Sequence, residues 1–229
     1  SDIDGGTINV STITVISGGG TTNVSGGVGT YTPAANYNGP AVLQVSVSDG
    51  LGGTTTKLIT VNVSAANDAP TASNVTMTTA EDTTLIIKTA DLLASSGATD
   101  IDLDNLSVSA VNTIAGTTQG TLVNNGNGTW SFTPSADYNG STSLNFTISD
   151  GTTTITKTLT VNVSAVNDAP NVTATTLTTA EDSVLTINST NLGASDIDGG
   201  TTAVSAITVI SGGGTASVTG GVGTYNPAG

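Results

Sequence analysis

The chain has 229 residues and a formal net charge of −14, because seventeen Asp and Glu residues face three lysines and no histidine. Without a basic surface it has nothing to hold nucleic acid or an anionic membrane, so we expect neither as a partner. The absence of cysteine excludes disulfides and thiol chemistry. No apolar run approaches the roughly 18 residues of a membrane span, so we expect no membrane insertion within this sequence.

A repeated joint organises the chain. The stretch Asn67–Pro70 (Asn-Asp-Ala-Pro, the first joint) returns at Asn167–Pro170 (the second joint). The two copies are 100 residues apart, and a fixed period of about the length of a domain indicates tandem domains. Pro after Asn-Asp favours a turn over a continuing strand. We therefore predict three repeats: 1–66 as the C-terminal part of one repeat, 67–166 as a complete repeat, and 167–229 as the N-terminal part of a further one.

In the first repeat, side chains alternate as in β-strands. Ala41, Leu43, Val45 and Val47 point to one face, while the residues between them point to the other. Glycine-rich turns separate such runs, and no segment has the apolar spacing of an amphipathic helix. The first repeat is thus predicted to be β-structure that lacks its opening strand.

The middle repeat is predicted to form an immunoglobulin-like β-sandwich, because about seven short strands alternate with turn signals roughly every 8–12 residues. The Asn- and Gly-rich segment 124–128 indicates a hairpin, since both residue types accept positive φ. Alternation predicts six inward-facing residues: Leu144, Phe146, Ile148, Leu159, Val161 and Val163. Three further aromatic residues are expected in the core or at its corners rather than on a sugar-stacking surface: Trp130, Phe132 and Tyr138.

The third repeat restarts the same pattern. Residues 195–229 match residues 1–35 at 27 of 35 positions, so the first and third repeats belong to the same type. This alternation predicts an all-β linear array of tandem sandwiches, of which the chain is a window. We expect continuation of the array to complete the two partial repeats; strand donation between neighbouring chains is the less favoured route.

Fifteen of the seventeen acids lie in short recurring motifs. These are the joints (Asn67, Asp68, Asn167, Asp168), the Glu-Asp pairs (Glu81-Asp82, Glu181-Asp182), the Asp-x-Asp pairs (Asp2 and Asp4, Asp100 and Asp102, Asp196 and Asp198), the acids before glycine (Asp49, Asp150), and Asp137 near Asn139. In an extended backbone both carboxylates of Asp-x-Asp would lie on one side. Oxygen ligands suit Ca²⁺, whereas a site without His or Cys does not suit zinc. Turn chemistry also uses Asp and Asn, but the fixed phase favours calcium. Asp82 and Asp182 fit either role.

Several of these motifs resemble those of cadherins. Val166–Pro170 resembles the cadherin interdomain linker, and Asp100–Asp102 resembles the cadherin Asp-x-Asp ligands in sequence and spacing. Asp137–Asn139 and Ser149–Gly151 resemble the motifs before and after the penultimate strand. The resemblance is to the bacterial cadherin-like tandem repeats of large surface adhesins, including those of the repeats-in-toxin type, and it covers the whole chain.

That resemblance implies cadherin-like sandwiches with calcium at each joint, held by two neighbouring repeats. For the second joint it implies the ligands Glu81, Asp137, Asn139, Asn167, Asp168, Asp196 and Asp198. For the first joint it implies Asn36, Asn38, Asn67, Asp68, Asp100, Asp102 and Asp150. Ala65 and Ala165 stand where the cadherin linker begins with an acid, and Asn36 also replaces an acid. These departures imply fewer ions per joint than cadherins hold.

We expect a structural spacer segment of an extracellular bacterial adhesin or surface fibre, stiffened by calcium at its joints and located at the cell surface. Its expected partners are neighbouring repeats of the same chain, with lateral or end-to-end self-association in a fibre as a further option. A carbohydrate- or protein-binding β-sandwich module is the alternative. An enzyme is not expected: acid–base work would fall to Glu81 and Asp82, and that pair recurs at 181–182, whereas a catalytic site is seldom duplicated at every repeat.

Overall fold

The computed structural model describes residues 5–228, so the predicted ligands Asp2 and Asp4 lie outside the described residues. Regular structure within this range is almost entirely β, which confirms the all-β fold class predicted from the sequence. The residue types explain this outcome, because Thr and Val are favoured on a pleated surface while the many glycines terminate strands at turns.

The first repeat contains five strands: β1 (Asn9–Ser17), β2 (Thr21–Ser25), β3 (Val28–Thr32), β4 (Gly39–Ser48) and β5 (Thr54–Val63). β4 lies between β1 and β5 in an antiparallel sheet, and β2 pairs with β3. Ala41 and Leu43 of β4 are buried, as their alternation predicts. Ile59 of β5 is 45% exposed, so the described residues leave part of this sheet uncovered.

The middle repeat contains seven strands and one helix: β6 (Val75–Ala80), β7 (Leu85–Lys88), α1 (Thr89–Ser96), β8 (Ser107–Thr113), β9 (Gly120–Asn124), β10 (Thr129–Pro134), β11 (Gly140–Ser149) and β12 (Thr154–Ser164). The strands form one four-stranded sheet, in the order β6-β12-β11-β8, and one three-stranded sheet, β7-β10-β9. Two sheets of four and three strands are the architecture expected of a seven-stranded sandwich.

The buried residues of the middle repeat follow the alternation of its strands. All six predicted inward-facing side chains are buried: Leu144, Phe146, Ile148, Leu159 and Val161 are inaccessible to solvent, and Val163 is 5% exposed. Trp130 and Phe132 are buried as well, which confirms their assignment to the core. Tyr138 is half-buried, and its hydroxyl donates to the carbonyl of Ser141 at 2.8 Å.

Helix α1 was not expected from the sequence. Its eight residues bury Leu92 and Ser96, and Asp91 lies in the first turn, where a negative charge favours a helix. Gly97 ends the helix in a left-handed conformation (φ 59°), and its N–H group donates to the carbonyl of Ala94. Within residues 5–228, no helix is long and apolar enough to cross a membrane.

The third repeat contains five short strands: β13 (Asn171–Val172), β14 (Leu185–Ile187), β15 (Ala194–Ser195), β16 (Thr215–Thr219) and β17 (Val222–Asn226). β13 pairs with β15, and β17 lies between β14 and β16. Ile197 and Ile210 are 63% and 95% exposed. The described residues therefore give this repeat little buried core.

Contacts along the chain define two compact units. The first unit comprises 1–75, 88–112 and 145–158; the second comprises 76–87, 113–144 and 159–229. Each joint lies with its surrounding acids inside one of these units, the first joint in the first unit and the second joint in the second. The two joints are described separately below.

Candidate metal centre

The two joints have the same backbone hydrogen bonds. At the second joint the N–H group of Asp168 donates to Oδ2 of Asp198 at 2.6 Å, and Nδ2 of Asn167 donates to the carbonyl of Asp168 at 2.8 Å. At the first joint the N–H group of Asp68 donates to Oδ2 of Asp102 at 2.8 Å, and Asn67 donates to the carbonyl of Asp68 at 2.9 Å. The recurrent sequence motif thus specifies a recurrent local structure.

The Asp-x-Asp pairs at 100–102 and 196–198 form turns rather than the extended backbone that would place both carboxylates on one side. Oδ1 of Asp100 accepts a hydrogen bond from the N–H group of Asp102 at 2.8 Å, and Oδ1 of Asp196 accepts one from Asp198 at 3.0 Å. An Asp side chain that binds the backbone two residues on stabilises a turn over a strand. One oxygen of the first acid of each pair is thereby occupied, and its second oxygen stays available to a ligand.

Glu81 is a buried carboxylate held in place by the chain around it. It follows directly after β6, its N–H group donates to the carbonyl of Ser164 at 2.9 Å, and it is 2% exposed. Its Oε1 accepts a hydrogen bond from the N–H group of Val166, and its Oε2 accepts a longer one, 3.5 Å, from Nδ2 of Asn139. Residues that precede the second joint therefore orient this side chain.

Carboxylates from two repeats converge at the second joint. Single oxygen atoms of Glu81, Asp168 and Asp198 lie within 4.8 Å of one another, and so do those of Asp82, Asp137 and Asp168. We call these five acids the second-joint cluster. Asp168 belongs to both groups and connects them. Asp196 does not join either group, and its role within the described residues is to form the turn that precedes Asp198.

Asp82 and Asp137 enter the cluster through an unusual backbone conformation. Both have a φ of 55°, in the left-handed region that Asp and Asn tolerate better than most residues. The N–H group of Asp137 donates to Oδ1 of Asp82 at 3.4 Å. Asn36 and Asp182, the equivalent residues of the other repeats, have φ values of 59° and 58°. The conformation is therefore a property of the motif.

Asp168 is the most perturbed acid of the cluster. Loss of solvation raises the pKa of its carboxyl group, and the negative charges of Asp198, Asp137, Asp82 and Glu81 raise it further. Its Oδ2 atom is buried and has no hydrogen-bond partner. Buried oxygens are normally paired, so this atom marks a position at which a cation would supply the missing interaction.

The first joint has a smaller acidic group. Single oxygens of Asp100, Asp102 and Asp104 lie within 4.8 Å of one another, and Oδ2 of Asp100 is buried without a partner. We call these three acids the first-joint cluster. An open pocket beside it is lined by Asn36, Asn38, Asp68 and Asp102, among other residues. These four residues, all predicted as ligands of the first joint, thus lie close together. Asn36 provides a side-chain amide at the position where Asp137 provides a carboxylate at the second joint.

Asp150 and Asp49 act primarily as turn residues. Oδ1 of Asp150 accepts from the N–H groups of Thr152 and Thr153 at 2.6 Å, and Oδ2 accepts from the Thr153 hydroxyl at 2.6 Å and from Asn67 at 3.0 Å. These bonds, led by that of the Thr153 hydroxyl, lower the pKa of Asp150. Oδ1 of Asp49 closes the equivalent turn of the first repeat. Neither acid is part of an acidic group within residues 5–228.

Sequence reasoning left Asp82 undecided and missed Asp104. Asp82 recurs as Asp182, and its recurrence was the available signal. Asp104 has no such signal, because glycine occupies the equivalent position of the third repeat, Gly200. The residue before it, Leu103, has a φ of 65° and is 88% exposed, while its equivalent is Gly199 at 77°. The middle repeat therefore differs from its neighbours at this loop.

The donors of both clusters suit a hard cation. They are carboxylate oxygens, with the side-chain amides of Asn36 and Asn38 beside the first-joint cluster, and oxygen donors are ligands of Ca²⁺ rather than of zinc or copper. Partnerless buried oxygens of Asp168 and Asp100 add to this fit. Residues at both joints are thus able to hold a metal ion.

Comparisons with known proteins agree with the sequence motifs. A family model described as cadherin-like domain matches residues 1–64 and 66–164. None of the curated proteins matches the chain. Among solved structures, the extracellular cadherin domains 1–5 of protocadherin gamma B2 are 16% identical with a TM-score of 0.37, over 78% of this chain and 38% of that one.

Two further solved structures have a similar degree of likeness. The endo-fucoidan hydrolase MfFcnA4 of glycoside hydrolase family 107 is 18% identical with a TM-score of 0.32, over 95% of this chain and 34% of that one. Domains 4–9 of the surface layer protein SbsC are 17% identical with a TM-score of 0.22, over 88% of this chain and 32% of that one. The chain spans about a third of the length of each of these three proteins.

Proposed function

We propose that this chain, which belongs to the cadherin-like domain family, is a spacer segment of an extracellular adhesin or surface fibre. In this proposal, calcium bound at the joints stiffens the segment. Membership of the family indicates an extracellular adhesion or structural module. The bacterial tandem-repeat type, the spacer role and the calcium dependence are our proposals.

The observation that carries this proposal is the second-joint cluster. Five carboxylates from the middle and third repeats are close together around Asp168, whose Oδ2 has no partner. Like charges at such distances repel one another, and the repulsion is strongest where water is excluded. A chain with three lysines has few positive side chains to compensate them. A cation is the remaining source of positive charge.

Glu81, Asp168 and Asp198, with Asp82 and Asp137, would hold the ion of the second joint. A bound calcium ion supplies a positive charge that oxygens of both repeats share. Glu81 is already fixed by the backbone of Ser164 and Val166, and Asp198 by the backbone of Asp168. Their convergence would restrain rotation about the short Ala-Pro segment at 169–170.

The first-joint cluster would act in the same way with fewer charges. Asp100, Asp102 and Asp104 all come from the middle repeat, and Asn36 and Asn38 supply amide groups from the first. Fewer ligand charges weaken calcium binding. We therefore expect the second joint to bind calcium more tightly. Calcium-binding modules outside cells typically have Kd values of about 10⁻⁴–10⁻³ M, which would couple stiffness to extracellular calcium.

We propose neighbouring repeats of the same chain as the principal partners and no catalytic role. An aromatic sugar-binding surface in the middle repeat finds no support, because Trp130 and Phe132 are buried. The acids that would have to perform acid–base chemistry, Glu81 and Asp82, belong to the second-joint cluster.

Calorimetric titration of calcium into the 229-residue chain tests this proposal. The parent chain should bind calcium at two classes of site with Kd values near 10⁻⁴–10⁻³ M. A variant with Asp168→Asn and Asp198→Asn should lose the tighter class and retain the weaker. Asp91→Asn removes an exposed acid of helix α1 outside both clusters and should leave the isotherm unchanged. An unaltered isotherm for the double variant would contradict the proposal.

A further inference from the structure

The hairpin loop between β9 and β10 contains two Asn-Gly pairs that differ in their hydrogen bonds. The chain has four such pairs: Asn38-Gly39, Asn125-Gly126, Asn127-Gly128 and Asn139-Gly140. In such a pair the glycine nitrogen can attack the side-chain amide carbon of the asparagine, because glycine has no side chain to hinder the approach. The hydrogen bonds of each pair decide whether this reaction proceeds in the folded chain.

Asn125 is protected by its surroundings. Its Nδ2 donates to the hydroxyl groups of Thr129 and Ser131 at 2.9 and 3.0 Å, which restrains the side-chain amide, while the hydroxyl bond to its Oδ1 is a longer one, 3.2 Å, from Ser131. Gly126, which would supply the attacking nitrogen, donates its N–H group to Oδ1 of Asn124 at 2.8 Å. Both the amide and the nucleophile are therefore held in non-reactive arrangements.

Asn127 is in the opposite situation. Its Oδ1 accepts a hydrogen bond from the Thr129 hydroxyl at 2.7 Å, while no hydrogen bond of the Gly128 nitrogen is found among residues 5–228. The Thr129 hydroxyl also accepts from Asn125, and a hydroxyl that accepts one bond donates the next more strongly. Attack on the amide carbon places negative charge on Oδ1, where this donor would stabilise it. Asn127 is exposed at the tip of the hairpin, so water has access.

We propose that Asn127 is a site of spontaneous deamidation, with Thr129 as the residue that promotes it. The Gly128 nitrogen loses its proton to water and forms a bond with Cγ of Asn127; Nδ2 then takes up a proton from water, the Cγ–Nδ2 bond breaks and ammonia leaves. Water then opens the resulting succinimide at either carbonyl and gives aspartate or isoaspartate. The product adds one negative charge to the hairpin. This inference does not depend on calcium binding at the joints.

Peptide mapping by mass spectrometry after prolonged incubation at mildly alkaline pH tests the inference. The folded chain should accumulate aspartate and isoaspartate at position 127 well before position 125. Thr129→Val should slow the reaction about two- to tenfold, the effect of losing one hydrogen bond to the developing charge, and Thr129→Ser should restore it. Equal rates at Asn125 and Asn127 in the parent chain would overturn the inference, as would an unchanged rate in a folded Thr129→Val chain.

Discussion

Glu81 combines two roles at the second joint that substitution can separate. Its carboxylate accepts a hydrogen bond from the N–H group of Val166, and it contributes a negative charge near Asp168 and Asp198. Glu81→Gln keeps an oxygen that can accept the same hydrogen bond and removes the charge. Glu81→Ala removes both. Glu81→Gln should therefore reduce only the stabilisation that calcium provides. Glu81→Ala should reduce that stabilisation and should also make the calcium-free chain less stable than the parent.

The size of the calcium effect follows from mass action. For Kd values of about 10⁻⁴–10⁻³ M, about 10 mM calcium stabilises the folded chain by about 1.4–2.7 kcal/mol. In a chain of this length, that raises Tm by about 3–10 °C. Loss of a carboxylate ligand weakens binding about tenfold or more, so the part of the calcium stabilisation that comes from the second joint should fall in Glu81→Gln to at most about 0.4–1.4 kcal/mol.

Differential scanning calorimetry with calcium and with chelator measures both roles. Without calcium, Glu81→Gln should melt no lower than the parent, because repulsion from neighbouring acids falls. Glu81→Ala should be less stable by about 1 kcal/mol, since the Val166 N–H group loses its partner. Asp91→Asn serves as the charge-matched control and should show the full calcium effect. A full calcium effect in Glu81→Gln would refute the assignment of Glu81 to a cation site.

Three further predictions concern the fold and its turns. Leu103→Gly should stabilise the chain by about 0.5–1 kcal/mol in urea unfolding, because Leu103 is exposed at a φ of 65° where Gly199 stands in the third repeat; a loss of stability would contradict this. Phe146→Ala should destabilise it by about 3–5 kcal/mol, whereas Leu51→Ala at a 72% exposed position should have little effect; similar effects of the two changes would contradict the assigned core. The pKa of Asp150 is lowered in the folded chain, so its stabilising contribution is complete above the unfolded pKa of about 3.9 and is lost as the pH falls through the folded pKa. Urea midpoints of Asp150→Asn should accordingly lie below those of the parent at neutral pH and approach them in acid; a constant difference would show that the charge is not responsible.

Most of the fold could be predicted because two independent signals agree in the sequence. Period-2 alternation identifies Phe146 and Leu159 as core residues, and Asn- and Gly-rich turns separate the strands. Helix α1 was not predicted, because eight residues are too few for the spacing of apolar residues to reveal a helical period. Its end signal at Gly97 is visible in hindsight, but single glycines also mark turns throughout this chain.

The candidate site was predictable where it recurs and unpredictable where it does not. Recurrence identified Glu81 and Asp168, which the structure places in one cluster. Asp104 belongs to the middle repeat alone, so no period could reveal it. The sequence left the pair at Asp100 and Asp102 open between an extended backbone and a turn, because alternation suggests the first, whereas an Asp side chain can bind the backbone N–H group two residues on and bend the segment, as Asp100 does.

Small-angle X-ray scattering of the 229-residue chain tests the central claim of calcium-stiffened joints most directly. In calcium, the parent should have a longer maximum dimension and a narrower distribution of dimensions than in chelator, because an ion held by carboxylates of both neighbouring repeats neutralises their repulsion and restrains bending and rotation at the joint. The variant with Asp168→Asn and Asp198→Asn should lose most of that difference, while Asp91→Asn should retain it. Identical scattering of the parent with and without calcium would contradict the account.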